Sequence, residues 1–140
     1  MILHFNYEEL RALTDAGEWL VEDGAQHSGA VAAPPEGLAK VERLLPRLTG
    51  DISIETLDEQ RRVRDAVGLI VDDLHDRMDT KVIEYTPGHE DAVNLYFDYA
   101  HARVVLDRLD RMGTEMASIL ELIGGSRSDA DLASNVNFPD

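Results

Sequence analysis

At 140 residues the chain is long enough for one domain with a real core, and its apolar content of 44% argues against global disorder. It has no cysteine, which excludes disulfides, thiolate catalysis and cysteine-ligated zinc. Acidic residues outnumber Lys plus Arg by 28 to 13, a net charge of −15, so direct binding to the phosphates of nucleic acid is not expected.

The acidity has three readings. It suits a high-salt habitat, where screening removes the self-repulsion. It suits a surface for a basic protein partner, including mimicry of nucleic acid. It is also what a solvated helical surface looks like. Only Lys40 and Lys81 are lysines, and arginine supplies the other basic residues. Arginine over lysine, with abundant Asp, Ala and Val, fits a GC-rich genome. No apolar run approaches the roughly 20 residues of a membrane span. The segment Met1–Phe5 lacks the basic flank of a signal peptide, so a cytoplasmic location is the default expectation.

The first helix is expected to start after Asn6. Asn6-Tyr7-Glu8-Glu9 reads as a capping box, with Phe5 and Leu10 as the accompanying hydrophobic staple. Leu10, Leu13, Gly17, Leu20 and Val21 make its apolar face, with Trp19 at the edge and Gly24 as the stop. Residues 23–33 are small and read as a loop. A second helix begins near Pro34-Pro35 and uses Leu38, Val41, Leu44, Leu45 and Leu48, and Pro46 should kink or end it. Thr49-Gly50-Asp51 is a turn. Ser53 is the expected cap of the third helix, and Thr56-Leu57-Asp58-Glu59 is a competing capping box one turn later. No stretch alternates as a strand would.

The third and fourth helices form the centre of the reading. Val63, Val67, Ile70, Leu74, Met78, Val82 and Tyr85 mark one arm. Leu95, Tyr99, Ala102, Leu106, Leu109, Gly113, Met116, Leu120 and Ile123 mark the other, with heptad spacing. Thr86-Pro87-Gly88 joins them: Thr86 would cap and Pro87 would open the second arm. So short a connection makes the arms antiparallel neighbours. Residues 92–106 are apolar on every side, which predicts neighbours on at least two sides, whereas from Asp107 onward the outer face turns charged. Gly124-Gly125 ends the helix, and the polar tail beyond reads as a frayed terminus or, with Leu132, Val136 and Phe138 as anchors, as a segment docked on this subunit or another.

One constellation suggests chemistry. Asp72 and His75 on the first arm, and Asp98 and His101 on the second, are two Asp-x-x-His pairs at equal distances from the turn. Residues three apart share a helix face. A carboxylate-x-x-His from each of two helices is the kind of ligand set that ferritin-like bundles use for iron, manganese or zinc. Against this, such bundles use Glu, the bridging glutamates have no clean equivalent (Glu18, Glu22 and Glu42 are the nearest), and the two pairs flank opposite sides of the seam. The plainer reading is surface ion pairs. His4, His27 and His89 are isolated, and Ser126 and Ser128 have no nearby base. Arg61, Arg62 and Arg64 read as partners of Asp58, Glu59 and Asp65 before they read as a binding patch. There is no phosphate-binding loop and no HExxH.

These readings combine into an all-α fold, a four-helix up-down bundle with a long antiparallel C-terminal hairpin, residues 1–123 forming one domain and 124–140 a polar tail. The long arms would outrun their cover and leave apolar seam exposed, which predicts a homo-oligomer, specifically a two-fold dimer. The expected function is that of a non-enzymatic interaction or regulatory protein. The alternative is a metal-binding bundle with Asp72, His75, Asp98 and His101 as ligands.

Overall fold

The computed structural model describes residues 1–24, 35–84, 90–125, 131–133 and 136–138. The fold is all-α. Its helices are α1 (Tyr7–Trp19), α2 (Pro35–Leu44), α3 (Leu57–Glu84) and α4 (Glu90–Gly125). Two short antiparallel strand pairs accompany them. β1 (Ile2–Leu3) lies against β2 (Ile52–Ser53), and β3 (Asp131–Ala133) against β4 (Val136–Phe138). Strands this short have no room for a visible alternation, which is why the sequence pattern misses them. Among the described residues no helix is long and apolar enough to cross a membrane.

The chain separates into two compact units, Met1–Leu109 and Asp110–Asp140. In the first, α1 starts as its sequence predicts. The Asn6 side chain accepts from the Glu9 N–H at 2.8 Å, and Glu9 Oε1 accepts from the Asn6 N–H at 3.0 Å. This box satisfies two backbone donors that a helix start otherwise leaves open. The helix then widens into a π turn over Leu20–Gly24. The second helix ends in the 3₁₀ turn Leu45–Arg47, where Pro46 has no N–H to continue an α ladder. The third helix uses the later of its two caps. Thr56 Oγ1 accepts from the Glu59 N–H at 3.0 Å, while Ser53 is drawn into β2. The tie between β1 and β2 is prolonged by the Met1 ammonium on the Ile54 carbonyl (2.8 Å) and the Ile54 N–H on the Met1 carbonyl (2.7 Å).

Burial follows the helical period. Val63, Ala66, Val67, Ile70, Val71 and Leu74 turn inward on α3, and Ala102, Val105, Leu106 and Leu109 on α4. The two helices run antiparallel: Gln60 near the start of α3 donates its side-chain amide to the Leu109 carbonyl at 2.7 Å, and His75, further along, meets Tyr99 with ring centroids 5.6 Å apart. The joining segment Thr86-Pro87-Gly88, with Tyr85 and His89, lies outside the described residues. Gly17 marks a close approach of α1 to its neighbours. A Cβ there would come within 2.9 Å of Leu45 Cδ2 and 3.3 Å of Ile70 Cδ1, so glycine lets α1 sit down on α3 and on the turn after α2.

In the second unit, the rest of α4 buries Met112 and Gly124 and exposes Ile119, Leu120, Leu122 and Ile123. The β3–β4 pair aligns Leu132 with Asn137.

Candidate functional site

The inner side of α4 is held to α1 by ion pairs. Arg108 lays both guanidinium nitrogens on the Glu9 carboxylate, at 2.9 and 3.0 Å, and also donates to the His4 carbonyl at 2.7 Å. The Glu9 side chain is only 4% exposed. Its pKa is pushed below the usual carboxylate range, chiefly by the Arg108 hydrogen bonds, which outweigh burial; the Asn6 N–H and the field of His101 assist. The guanidinium in turn is held in its charged form by Glu9. The carboxylate that caps α1 is therefore also the anchor of α4.

Asp98 lies in the apolar half of α4, where an unpaired charge would be expensive. Its partner is Arg11 of α1, Nη2 to Oδ1 at 2.8 Å. Arg11 also reaches Glu8 at 3.1 Å and Asp15 at 3.3 Å, and Asp98 is the first cause of its raised pKa. On α3, Asp72 is exposed, and His75 is half exposed with its Nδ1 3.5 Å from Asp79. His101 is half-buried beside Glu9. The structure thus joins Asp98 to α1 and His75 to its own helix and to Tyr99. Among the described residues no group of three or more histidine or carboxylate side chains is placed to hold a metal ion.

The outer side of α4 is different. Val93, Tyr96, Phe97 and Val104 are exposed, at 37%, 56%, 54% and 45%. Their spacing of three, one and seven places them on one stripe of the helix, with half-buried Ala100 between them. Tyr96 and Phe97 meet edge to face with centroids 6.0 Å apart. The Arg103–Asp107 pair (3.4 Å) lies along the stripe's C-terminal end. The expectation of cover on every side is met within this unit only on the inner side. The sequence marks these outer residues as apolar, but periodicity alone does not separate a second buried face from an uncovered one.

Sequence reasoning also missed three ion pairs: Glu9–Arg108, Arg11–Asp98 and Asp73–Arg77. The last joins residues four apart, the usual spacing of a helical pair. Asp73 is 2% exposed and Arg77 Nε lies 2.9 Å from its Oδ2, while Asp73 Oδ1 and Arg77 Nη2 are buried without a hydrogen-bond partner. Burial raises the Asp73 pKa against the pull of Arg77. The guanidinium carbon sits 3.9 Å above the ring of Trp19. Compared with known proteins, the chain matches no family model, and no curated protein or solved structure is significantly similar to it.

Proposed function

We propose that this is a non-enzymatic interaction protein that acts by pairing with a second copy of itself through the outer stripe of α4. The observation that carries this reading is the uncovered row of Val93, Tyr96, Phe97 and Val104 on an otherwise strongly charged chain. An apolar stripe on a helix suits a two-fold pairing.

The magnitude is modest. Burying the exposed half of Tyr96 and Phe97 on both copies removes roughly 400 Å² of surface, about 10 kcal/mol at about 25 cal/mol/Å². Association costs about 4–15 kcal/mol in lost freedom, so the pairing is concentration-dependent rather than obligate. Each copy carries a net charge of −15, so the copies repel at low ionic strength. Salt screens that repulsion and leaves the apolar contact intact. Association is therefore stronger in high salt, the reverse of a complex held by ion pairs.

Sedimentation velocity across protein concentration, at low and high salt, tests this. The wild type shifts toward dimer with concentration and with salt, and Phe97→Asp stays monomeric while keeping its helical circular dichroism. A wild type that is monomeric at every concentration and salt removes the reading, as does a dimer that Phe97→Asp leaves unchanged.

A further inference from the structure

We propose that the cleft between α2 and α3 binds a small soluble ligand carrying two adjacent phosphate groups. The cleft has a volume of about 350 Å³. Lys40, Arg43 and Arg47 line one wall and Arg62 and Glu59 the other, over an apolar floor of Leu44 and Val63. Four cations and one carboxylate line it, and a second carboxylate, Asp65, pairs with Lys40, so a local excess of two positive charges stands on a chain with 28 acidic and 13 basic residues. Such a local reversal of sign is not what a generally solvated acidic surface produces.

The spacing is what puts the cations together. Lys40, Arg43 and Arg47 recur at three and four residues along α2 and the turn that ends it, and Glu59, Arg62 and Val63 at three and four along α3. Two of the lining cations are held by ion pairs. Lys40 Nζ lies 2.8 Å from Asp65, and Arg47 Nη2 lies 2.9 Å from Glu59 and 3.2 Å from the Ser53 carbonyl. The Glu59 carboxyl is held below the usual range, first by the Glu55 N–H and then by Arg47, so it stays ionised and keeps Arg47 in place.

Between these fixed pairs stand Arg43 and Arg62, both exposed, one from each wall; neither makes an ion-pair contact within 4 Å among the described residues, although the field of Arg62 reaches Glu59. A guanidinium offers a planar fork of donors suited to two oxygens of one phosphate. Two forks from two walls suit two linked phosphates. A tetrahedral phosphate presents oxygens out of a single plane and so meets forks from two walls more readily than a planar carboxylate does. The volume falls at the small end of ligand sites, enough for a diphosphate with a small organic group. The net charge of −15 opposes approach to an anionic membrane, which favours a soluble ligand over a lipid headgroup.

The experiment is calorimetric titration of the full chain with inorganic pyrophosphate, beside orthophosphate, malonate, and vesicles of phosphatidylcholine doped with phosphatidic acid. Saturable binding of one pyrophosphate per chain is expected, tighter than orthophosphate or malonate. Arg43→Gln and Arg62→Gln should each weaken it about tenfold, the loss of one charge-assisted fork. Both positions are exposed, so unfolding curves of the variants should overlay the wild type. Absence of saturable pyrophosphate binding overturns the proposal, as do variants that bind like the wild type or malonate that binds equally well. Binding to the vesicles alone overturns the soluble source.

Discussion

Replacing Arg108 by methionine should expose how much of the fold hangs on the α1–α4 joint. Methionine keeps much of the aliphatic packing and removes the charge. Glu9, with a side chain only 4% exposed, would keep the Asn6 N–H and lose both guanidinium bonds. Breaking a buried pair from one side costs about 3–5 kcal/mol. The retained cap and the partly exposed Arg108 place the expected loss near the lower end, about 3 kcal/mol, including the bond to the His4 carbonyl. Glu9→Gln preserves the capping acceptor and should cost less, about 1–2 kcal/mol. The double variant should fall short of the sum of the singles, because each single leaves a partner stranded.

The pH dependence gives a second readout. The folded pKa of Glu9 is depressed below its ordinary value. The pair's stabilisation is therefore complete above the unfolded carboxylate pKa, about 4.3, and is lost as pH falls through the lower folded value. In Arg108→Met the same carboxyl is buried without its cation, and protonation relieves it. The gap between wild type and variant should thus shrink as pH falls, beginning above about 4.3, where the variant's raised carboxyl protonates, and closing at the lowered value of the wild type. Urea unfolding followed by circular dichroism, at neutral pH and at several acidic values, measures both effects. A loss under about 1 kcal/mol at neutral pH, with a gap that does not change with pH, would refute the assignment of Glu9–Arg108 as the joint.

Three further outcomes follow from the packing. Replacing the pair together, Asp73→Leu with Arg77→Met, should raise stability by about 1–4 kcal/mol, because the wild-type pair leaves Asp73 Oδ1 and Arg77 Nη2 buried without partners; a lower melting temperature would contradict this. Gly17→Val should destabilise by about 1–3 kcal/mol through overpacking, whereas Gly17→Ala should stay within about 1 kcal/mol, since better helix propensity offsets a small shift of Leu45; chemical denaturation separates the two. Because Asp98 is held by Arg11 and His75 lies near Asp79, added iron, manganese or zinc should leave the melting temperature of the wild type unchanged. One or two equivalents of metal in the purified protein, lost in His75→Ala/His101→Ala, would instead establish Asp72, His75, Asp98 and His101 as ligands.

What is legible in this sequence is local. The capping box of α1 depends on Asn6 and Glu9, three residues apart, and it forms as read. The helical faces of α3 and the first half of α4 follow from spacing, and Val67, Ile70, Leu74, Ala102 and Leu109 are buried accordingly. What spacing cannot supply is the partner across the fold. Asp98 reads as half of an Asp-x-x-His motif, and its partner proves to be Arg11, 87 residues away. Glu9 reads as a cap and is also the seat of Arg108, 99 residues away. Such choices are set by how helices dock, which no window of sequence contains. The basic cleft lies between these cases: the Lys40, Arg43, Arg47 spacing is visible, but that Arg62 faces it is not. The choice of Thr56 over Ser53 as cap was decided by β1, which takes Ile52 and Ser53 as its strand partner.

Trp19 is the only tryptophan in the chain, and the Arg77 guanidinium sits over its ring where the end of α1 meets α3. Nature has thereby placed a single optical reporter at one joint of the molecule. Its emission follows the parting of α1 from α3 and is blind to most of α4, while far-ultraviolet dichroism sums over every helix. If the two signals melt together, the helices form one cooperative unit. If the dichroism persists after the emission has changed, the long helices survive the departure of α1, and the molecule is a stable helical pair with a detachable clasp.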